Sequence, residues 1–189
     1  MSAAEVSDRG AGAYPTRWVV DALLRDGTAV SIRPIRPADG PALAAFHDSL
    51  SEETSYRRFF ACKPHLSRQE VEHFTTVDYR DRMAFVAVLG GALIGVARYE
   101  RTPGTDEAEV ALVVADAHQG RGLGSLFLEY LAAAAGERGI TRLIAETLSA
   151  NRRMLAVLRA SGYPEVITHQ QGEDTVTLDI RAPARPAPG

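Results

Sequence analysis

Apolar residues recur along this chain with two periods, and the switches between them outline an alternating series of strands and helices. Residues 29–35 alternate with the period of two that puts every second side chain on one face of a strand. Residues 39–50 follow with Leu43, Phe46 and Leu50 on one helical face. Ser67-Arg68-Gln69-Glu70 is a capping box that opens a second helix carrying Val71 and Phe74. Strand-like runs at 84–89 and 92–99 flank Gly90-Gly91, which predicts a hairpin. A strand at 109–114, a helix at 123–138, a strand at 141–148 and a helix at 151–161 then predict a βαβα unit with parallel strands. Runs at 166–169 and 175–180, joined by the polar turn Gln171-Gly172-Glu173-Asp174, close the sheet. The expected class is α/β, with seven strands and four helices.

At 189 residues the chain suffices for one well-filled core. Residues 1–14 are small and polar and read as a flexible arm; residues 15–181 form the domain. Residues 182–189 are rich in Pro and Ala and read as an extended tail resembling a severed linker. The formal net charge of −3 gives no electrostatic case for a nucleic-acid partner. Cys62 is the single cysteine, so no intrachain disulfide forms, in keeping with a reducing cytoplasm. Its setting between Phe59-Phe60-Ala61 and Lys63-Pro64 reads as packed rather than reactive. The opening residues lack a positive start followed by an apolar core, and no apolar run is long enough for a membrane span.

The candidate chemistry lies in Gln119-Gly120-Arg121-Gly122-Leu123-Gly124-Ser125, between a β-rich run and an apolar helix. Glycines at alternate positions strip one side of the turn of Cβ atoms, so amides at the helix start converge on an anion that the helix dipole also favours. A P-loop requires a lysine before Ser125, where Gly124 stands. A dinucleotide fingerprint requires glycine three residues after Gly122 or Gly124, where Ser125 and Phe127 stand. The pattern that survives is Gln/Arg-x-x-Gly-x-Gly/Ala, matched by Gln119, Gly122 and Gly124. A tight glycine turn without a ligand is the alternative reading.

With these residues the chain resembles the GNAT superfamily of N-acetyltransferases, which bind the acetyl-CoA pyrophosphate on that turn. A helix opened by Asn151 and ended by Gly162-Tyr163 resembles the second superfamily motif. The resemblance covers about residues 29–180 and implies a mixed, mostly antiparallel seven-stranded sheet, splayed between its central parallel strands and flanked by about four helices. It implies that the cofactor arm lies in that splay against Leu112, Val113 and Val114, whose backbone groups hold the pantetheine and offer an N–H to the thioester oxygen. Gln119 to Ser125, Asn151 and Arg153 complete the implied cofactor contacts. Asn151 also suits a simple helix N-cap.

Acetyl transfer from a thioester to an amine needs a neutral amine, aligned geometry and an oxyanion donor; it needs no metal. Deprotonating a lysine near pH 7 costs roughly 4.6 kcal/mol, so a carboxylate that accepts the proton is the expected base. Glu109 stands on the strand leading to the phosphate turn and is the first candidate; Glu146, on the neighbouring strand, is the second. Glu107 shares the face of Glu109 but lies nearer the solvent edge. A structural pairing of Glu109 with an arginine such as Arg98 is the alternative. Around Glu109, in residues 31–39 and in residues 50–60, the chain resembles bacterial protein lysine acetyltransferases, in which the matching Glu is the general base. That subfamily implies a cytoplasmic enzyme whose target is an AMP-forming acetyl-CoA synthetase or related acyl-CoA synthetase, and in many members fusion to an acyl-CoA-synthetase-like domain.

The tyrosine that many superfamily members carry seven residues after the motif Asn is Leu158 here, which leaves the general acid unassigned. Tyr130 and Tyr163 read as packing residues and His118 as an exposed loop residue. Residues 47–82 mix Arg57, Arg58, Lys63, Arg68, Arg80 and Arg82 with acidic residues and read as a largely solvated wall over the acceptor cleft. A small-amine or N-terminal acetyltransferase, and an acyl-CoA sensor without turnover, are the competing functions.

Overall fold

The computed structural model describes residues 13–61 and 63–181. The expectations for residues 1–12, for Cys62 and for the tail 182–189 lie outside the described residues. Tyr14, placed at the end of the arm, is packed: its hydroxyl donates to Pro34 O at 3.0 Å and its ring meets Tyr79 edge-on.

The strands are β1 (Val20–Leu23), β2 (Ala29–Pro34), β3 (Arg82–Leu89), β4 (Ala92–Arg101), β5 (Glu107–Val114), β6 (Arg142–Leu148), β7 (Glu165–Gln170) and β8 (Glu173–Asp179). The helices are α1 (Gly40–Asp48), α2 (Glu52–Phe59), α3 (Arg68–Thr75), α4 (Leu123–Glu137) and α5 (Arg152–Ala160). One mixed sheet runs β1-β2-β3-β4-β5-β6-β8-β7, with β5–β6 as its parallel pair.

The sheet thus has eight strands where seven were expected, and five helices are described where four were expected. The added strand, β1, is a four-residue edge segment whose side chains are half-buried or exposed, so it leaves little apolar pattern. Its register on β2, Val20↔Ile32 to Leu23↔Ala29, is set by the turn at Gly27, which takes a φ of +83°. The added helix, α2, has the polar sequence Glu-Glu-Thr-Ser-Tyr-Arg-Arg-Phe. Its ends define it: the Ser51 hydroxyl accepts from Thr54 N at 3.2 Å, acidic residues fill the first turn and Arg57 and Arg58 the last.

Two helical layers cover the sheet. On one face, Leu123, Phe127, Leu128 and Leu131 of α4 are buried to 1% exposure or less. The other face carries α1, with Leu43 and Phe46 inside, followed by α2 and α3. The approach of α4 is close because Gly95 of β4 has no side chain: a Cβ there would lie 2.8 Å from Phe127 Cε2.

The feature that positions the site is a ladder that ends early. β5 and β6 pair from Glu107↔Arg142 to Val110↔Ala145 and then part, although β5 continues to Val114 and β6 to Leu148. On their outer sides both stay paired, β5 to β4 as far as Val114↔Gly95 and β6 to β8 as far as Leu148↔Glu173.

Gly95→Ala is expected to cost about 1–3 kcal/mol by overpacking against Phe127. Thermal unfolding is the check, with a midpoint lower by roughly 2–4 °C per kcal/mol; an unchanged midpoint would mean that Phe127 has room to move.

Candidate active site

The gap between β5 and β6 is the mouth of a cleft of about 400 Å³. Residues 109–114 of β5 form one wall, Glu146 and Thr147 of β6 the other. The start of α4, the first turns of α5 and the α2 residues Thr54, Arg57 and Arg58 complete it. Past Val110, the backbone N–H and C=O groups of β5 that face β6 have no strand to bond, so this edge accepts an extended ligand carrying amides.

At one end of the cleft is the glycine turn. A 3-10 turn at Asp116–His118 leads to Gln119, then Gly120 at φ +76° and Gly122 at φ +91°. Gly122 is the N-cap of the 15-residue α4 and supplies no side-chain cap. The first helical bond runs from Leu126 N to Gly122 O, so the N–H groups of Leu123, Gly124 and Ser125 have no partner within the helix. The three glycines serve different ends. Gly120 and Gly122 take left-handed backbone, whereas Gly124 lets α5 approach, since a Cβ there would sit 3.2 Å from Val157.

Of the residues expected at the cofactor, Leu112, Val113, Val114, Gln119, Gly120, Gly122, Leu123, Gly124, Ser125, Asn151 and Arg153 line this cleft, and Arg121 does not. The Arg121 guanidinium turns to the β1–β2 hairpin, donating to Asp26 at 2.6 Å, Thr28 Oγ1 at 2.5 Å and His118 Nδ1 at 2.7 Å. Arg25, from the same hairpin, lies across the turn instead, its Cγ 3.1 Å from where a Gly122 Cβ would be. His118, expected to be an exposed loop residue, is half-buried in the cleft wall.

Gln119 ties the turn to its surroundings. Its amide donates to Val114 O at 3.1 Å and to Thr54 Oγ1 at 3.2 Å, and its oxygen accepts from Arg153. The Val114 carbonyl is therefore engaged. Asp116 accepts from Ser51 N at 3.0 Å and from Ser51 Oγ and Thr54 Oγ1 at 2.7 Å each, pinning α2 over the cleft. Burial alone would push the Asp116 carboxyl up, but these bonds together outweigh it and hold the group below the ordinary carboxylate range. Asn151 caps α5, accepting from Met154 N at 3.2 Å, and also faces the cleft.

Glu109 is exposed to the cleft, and among the described residues its carboxylate has no hydrogen bond or ion pair. Arg98 stacks on Phe74, with its guanidinium carbon 4.4 Å from the ring centroid, rather than pairing with Glu109. Glu107 is held by Arg142 at 3.0 Å. Since Glu109 pairs with Ile144, Glu146 lies two residues further along on the same face of the sheet, and it too lines the cleft. Leu158 is fully buried, and Tyr130 packs on Phe85 and Trp18, outside the cleft. Sequence reasoning passed over Thr54, Arg25 and Thr147. The Thr147 hydroxyl is buried beside the cleft with no hydrogen-bond partner among the described residues. Nothing local marks these residues, because their significance comes from neighbours such as Asp116 that are distant in sequence.

The sequence and fold that build this cleft match a group of known proteins. The family model for the acetyltransferase (GNAT) family matches residues 44–163. An acetyltransferase of Pseudomonas aeruginosa is 31% identical over 150 residues, covering 77% of this chain and 80% of that protein. Acetyltransferase Pat of Mycolicibacterium smegmatis is 34% identical over 143 residues, which are 74% of this chain and 42% of Pat. The crystal structure of the GNAT domain of S. lividans PAT superposes with a TM-score of 0.83 at 42% identity, covering 88% of this chain and 99% of that domain. The chain belongs to the GNAT family of acetyltransferases.

Proposed function

We propose that this domain transfers acetyl from acetyl-CoA to a lysine ε-amine of a protein, with Glu109 as general base, and that the protein is an AMP-forming acyl-CoA synthetase. The observation that carries the reading is the placement of the uncapped α4 amides, the open edge of β5 and the unpartnered Glu109 along one cleft. The diphosphate sits on the N–H groups of Leu123, Gly124 and Ser125, with Arg25 over the turn and Arg121 left to its structural bonds. The pantetheine arm takes the place of the strand missing beside residues 111–113. Its amides bond the free backbone groups there, and a backbone N–H near Val113 receives the thioester oxygen. A structure of the same fold from Salmonella typhimurium, 19% identical, carries acetyl-CoA as its cofactor.

The acceptor nitrogen attacks the thioester carbonyl and forms the C–N bond. Its proton passes to Glu109, directly or through one water, and the C–S bond breaks to release CoA thiolate. A thiol with an ordinary pKa of about 8.5 leaves without an acid, which suits the absence of tyrosine from the cleft. Similarity to the Pat proteins supports a protein acceptor, and a cytoplasmic setting belongs to the same proposal. The chain spans 42% of the M. smegmatis Pat, so fusion to a second domain such as an acyl-CoA-synthetase-like module belongs to this proposal.

Glu109→Gln is expected to lower kcat for acetylation of an acyl-CoA synthetase by about 10²–10⁴-fold with little change in the KM for acetyl-CoA, read as CoA thiol release. Retention of most activity would remove Glu109 from the role. Gly122→Val forces a branched side chain into left-handed backbone under Arg25 and is expected to raise the KM for acetyl-CoA about tenfold or more. Unaltered cosubstrate affinity would move the diphosphate elsewhere.

A further inference from the structure

The last turn of α2 brings to the cleft a charge that the scheme above does not use. Arg58 is half-buried and lines both the cleft and a smaller apolar cavity of about 40 Å³ beneath α1, α2 and α3. Its guanidinium carbon lies 4.8 Å from the Phe59 ring centroid, and among the described residues it has no hydrogen bond or ion pair. Three arginines on α2, β2 and β4 are matched. Arg57 pairs with Glu53 at 2.5 Å, Arg33 with Asp39 at 2.7 Å and Arg101 with Asp81 at 3.1 Å. A sequestered guanidinium without a counterion is costly to keep, and here it stands beside the candidate base.

The charges that face Arg58 come from several elements. From β4, Arg98 adds repulsion, while Glu100 on the same strand lies nearest Arg82 and His73, each at 3.8 Å. From β5, Glu109 is the carboxylate whose field favours the Arg58 cation; burial, the larger influence, and Arg98 oppose it. From β6, Glu146 lines the same cleft. On the other side, Lys63 is held by Glu70, and the His47 ring is bonded to Lys63 O at 2.8 Å. Among the described residues, the cleft side chains that carry charge without an ion pair are Arg25, Arg58 and Arg153 against Glu109 and Glu146, with Arg98 close to Arg58. With the carboxylates alone, the cleft would grip a lysine ammonium and keep it inert.

We propose that Arg58 is a positioning residue for acetyl transfer: its charge on the cleft wall repels an ammonium, so the acceptor lysine reacts from its neutral form. The inference rests on Glu109 as the base. One proton leaves the ammonium for bulk water on entry; a second passes from the attacking nitrogen to Glu109 as the C–N bond forms and the C–S bond breaks.

The experiment is a pH profile of kcat at saturating protein acceptor, which reports groups in the bound complex, with wild type, Arg58→Met, Arg58→Lys and Glu109→Gln, alongside thermal melts. Removing the cation raises the pKa of the bound amine. The rising limb of Arg58→Met is therefore expected to move up by about one pH unit. Its kcat at pH 7 then falls about tenfold and recovers in alkali. Arg58→Lys keeps the wild-type limb. Arg58→Met melts at or above wild type, because an unmatched charge has been exchanged for an apolar chain. A loss in Arg58→Met that is equal at every pH, or a lysine variant displaced as far as the methionine one, overturns the proposal. If Glu109→Gln keeps wild-type activity the base reading falls separately, and a displaced limb in Arg58→Met still assigns the charge to the acceptor amine.

Discussion

The early end of the β5–β6 ladder is the constraint on which the rest of the structure depends. Four residue pairs, ending at Val110↔Ala145, hold the two strands together, and beyond them each strand is held from its outer side. β5 is kept on β4, continued by Ala115 N donating to Ile94 O at 2.9 Å, and Gln119 engages the Val114 carbonyl. β6 is kept on β8, continued by Ser149 N donating to Gly172 O at 2.9 Å and Ser149 Oγ to Asp174 at 2.6 Å. Backbone groups left facing the gap need partners, and an amide-bearing arm lying parallel to the strands is shaped to supply them.

The same opening aligns the chemistry. α4 begins where β5 ends, so its uncapped amides lie at one end of the slot, while Glu109 lies just before the ladder stops. A ligand anchored by its phosphates at the first place therefore presents its far end near the second. α2 roofs the slot because Asp116 binds Ser51 and Thr54 across more than sixty residues of chain. Through that roof the glycine turn and Arg58 belong to one connected framework.

Charge is distributed to match. On the outer surface arginines are coupled to carboxylates, as in Arg142–Glu107 and Arg181–Asp179. Exposed pairs of this kind contribute little stability. Inside the cleft, Arg58 and Glu109 have no ion pair among the described residues.

The sequence by itself determined the order of the major elements, the glycine turn and the carboxylate of Glu109. The reason is that these rest on local rules: apolar period, capping boxes such as Ser67–Glu70, and glycine backbone. β1 and α2 escaped because neither has an apolar stripe; one depends on pairing with β2, the other on its cap and on Asp116. Tertiary structure alone decided that Arg121 turns to Asp26 while Arg25 covers the turn, since both are exposed-type residues whose direction follows from the hairpin beside them. It alone decided that Arg58 is unmatched and Glu109 unpaired. A side chain's partner is a property of the space around it, and in this fold that space is enclosed by residues from four separate parts of the chain.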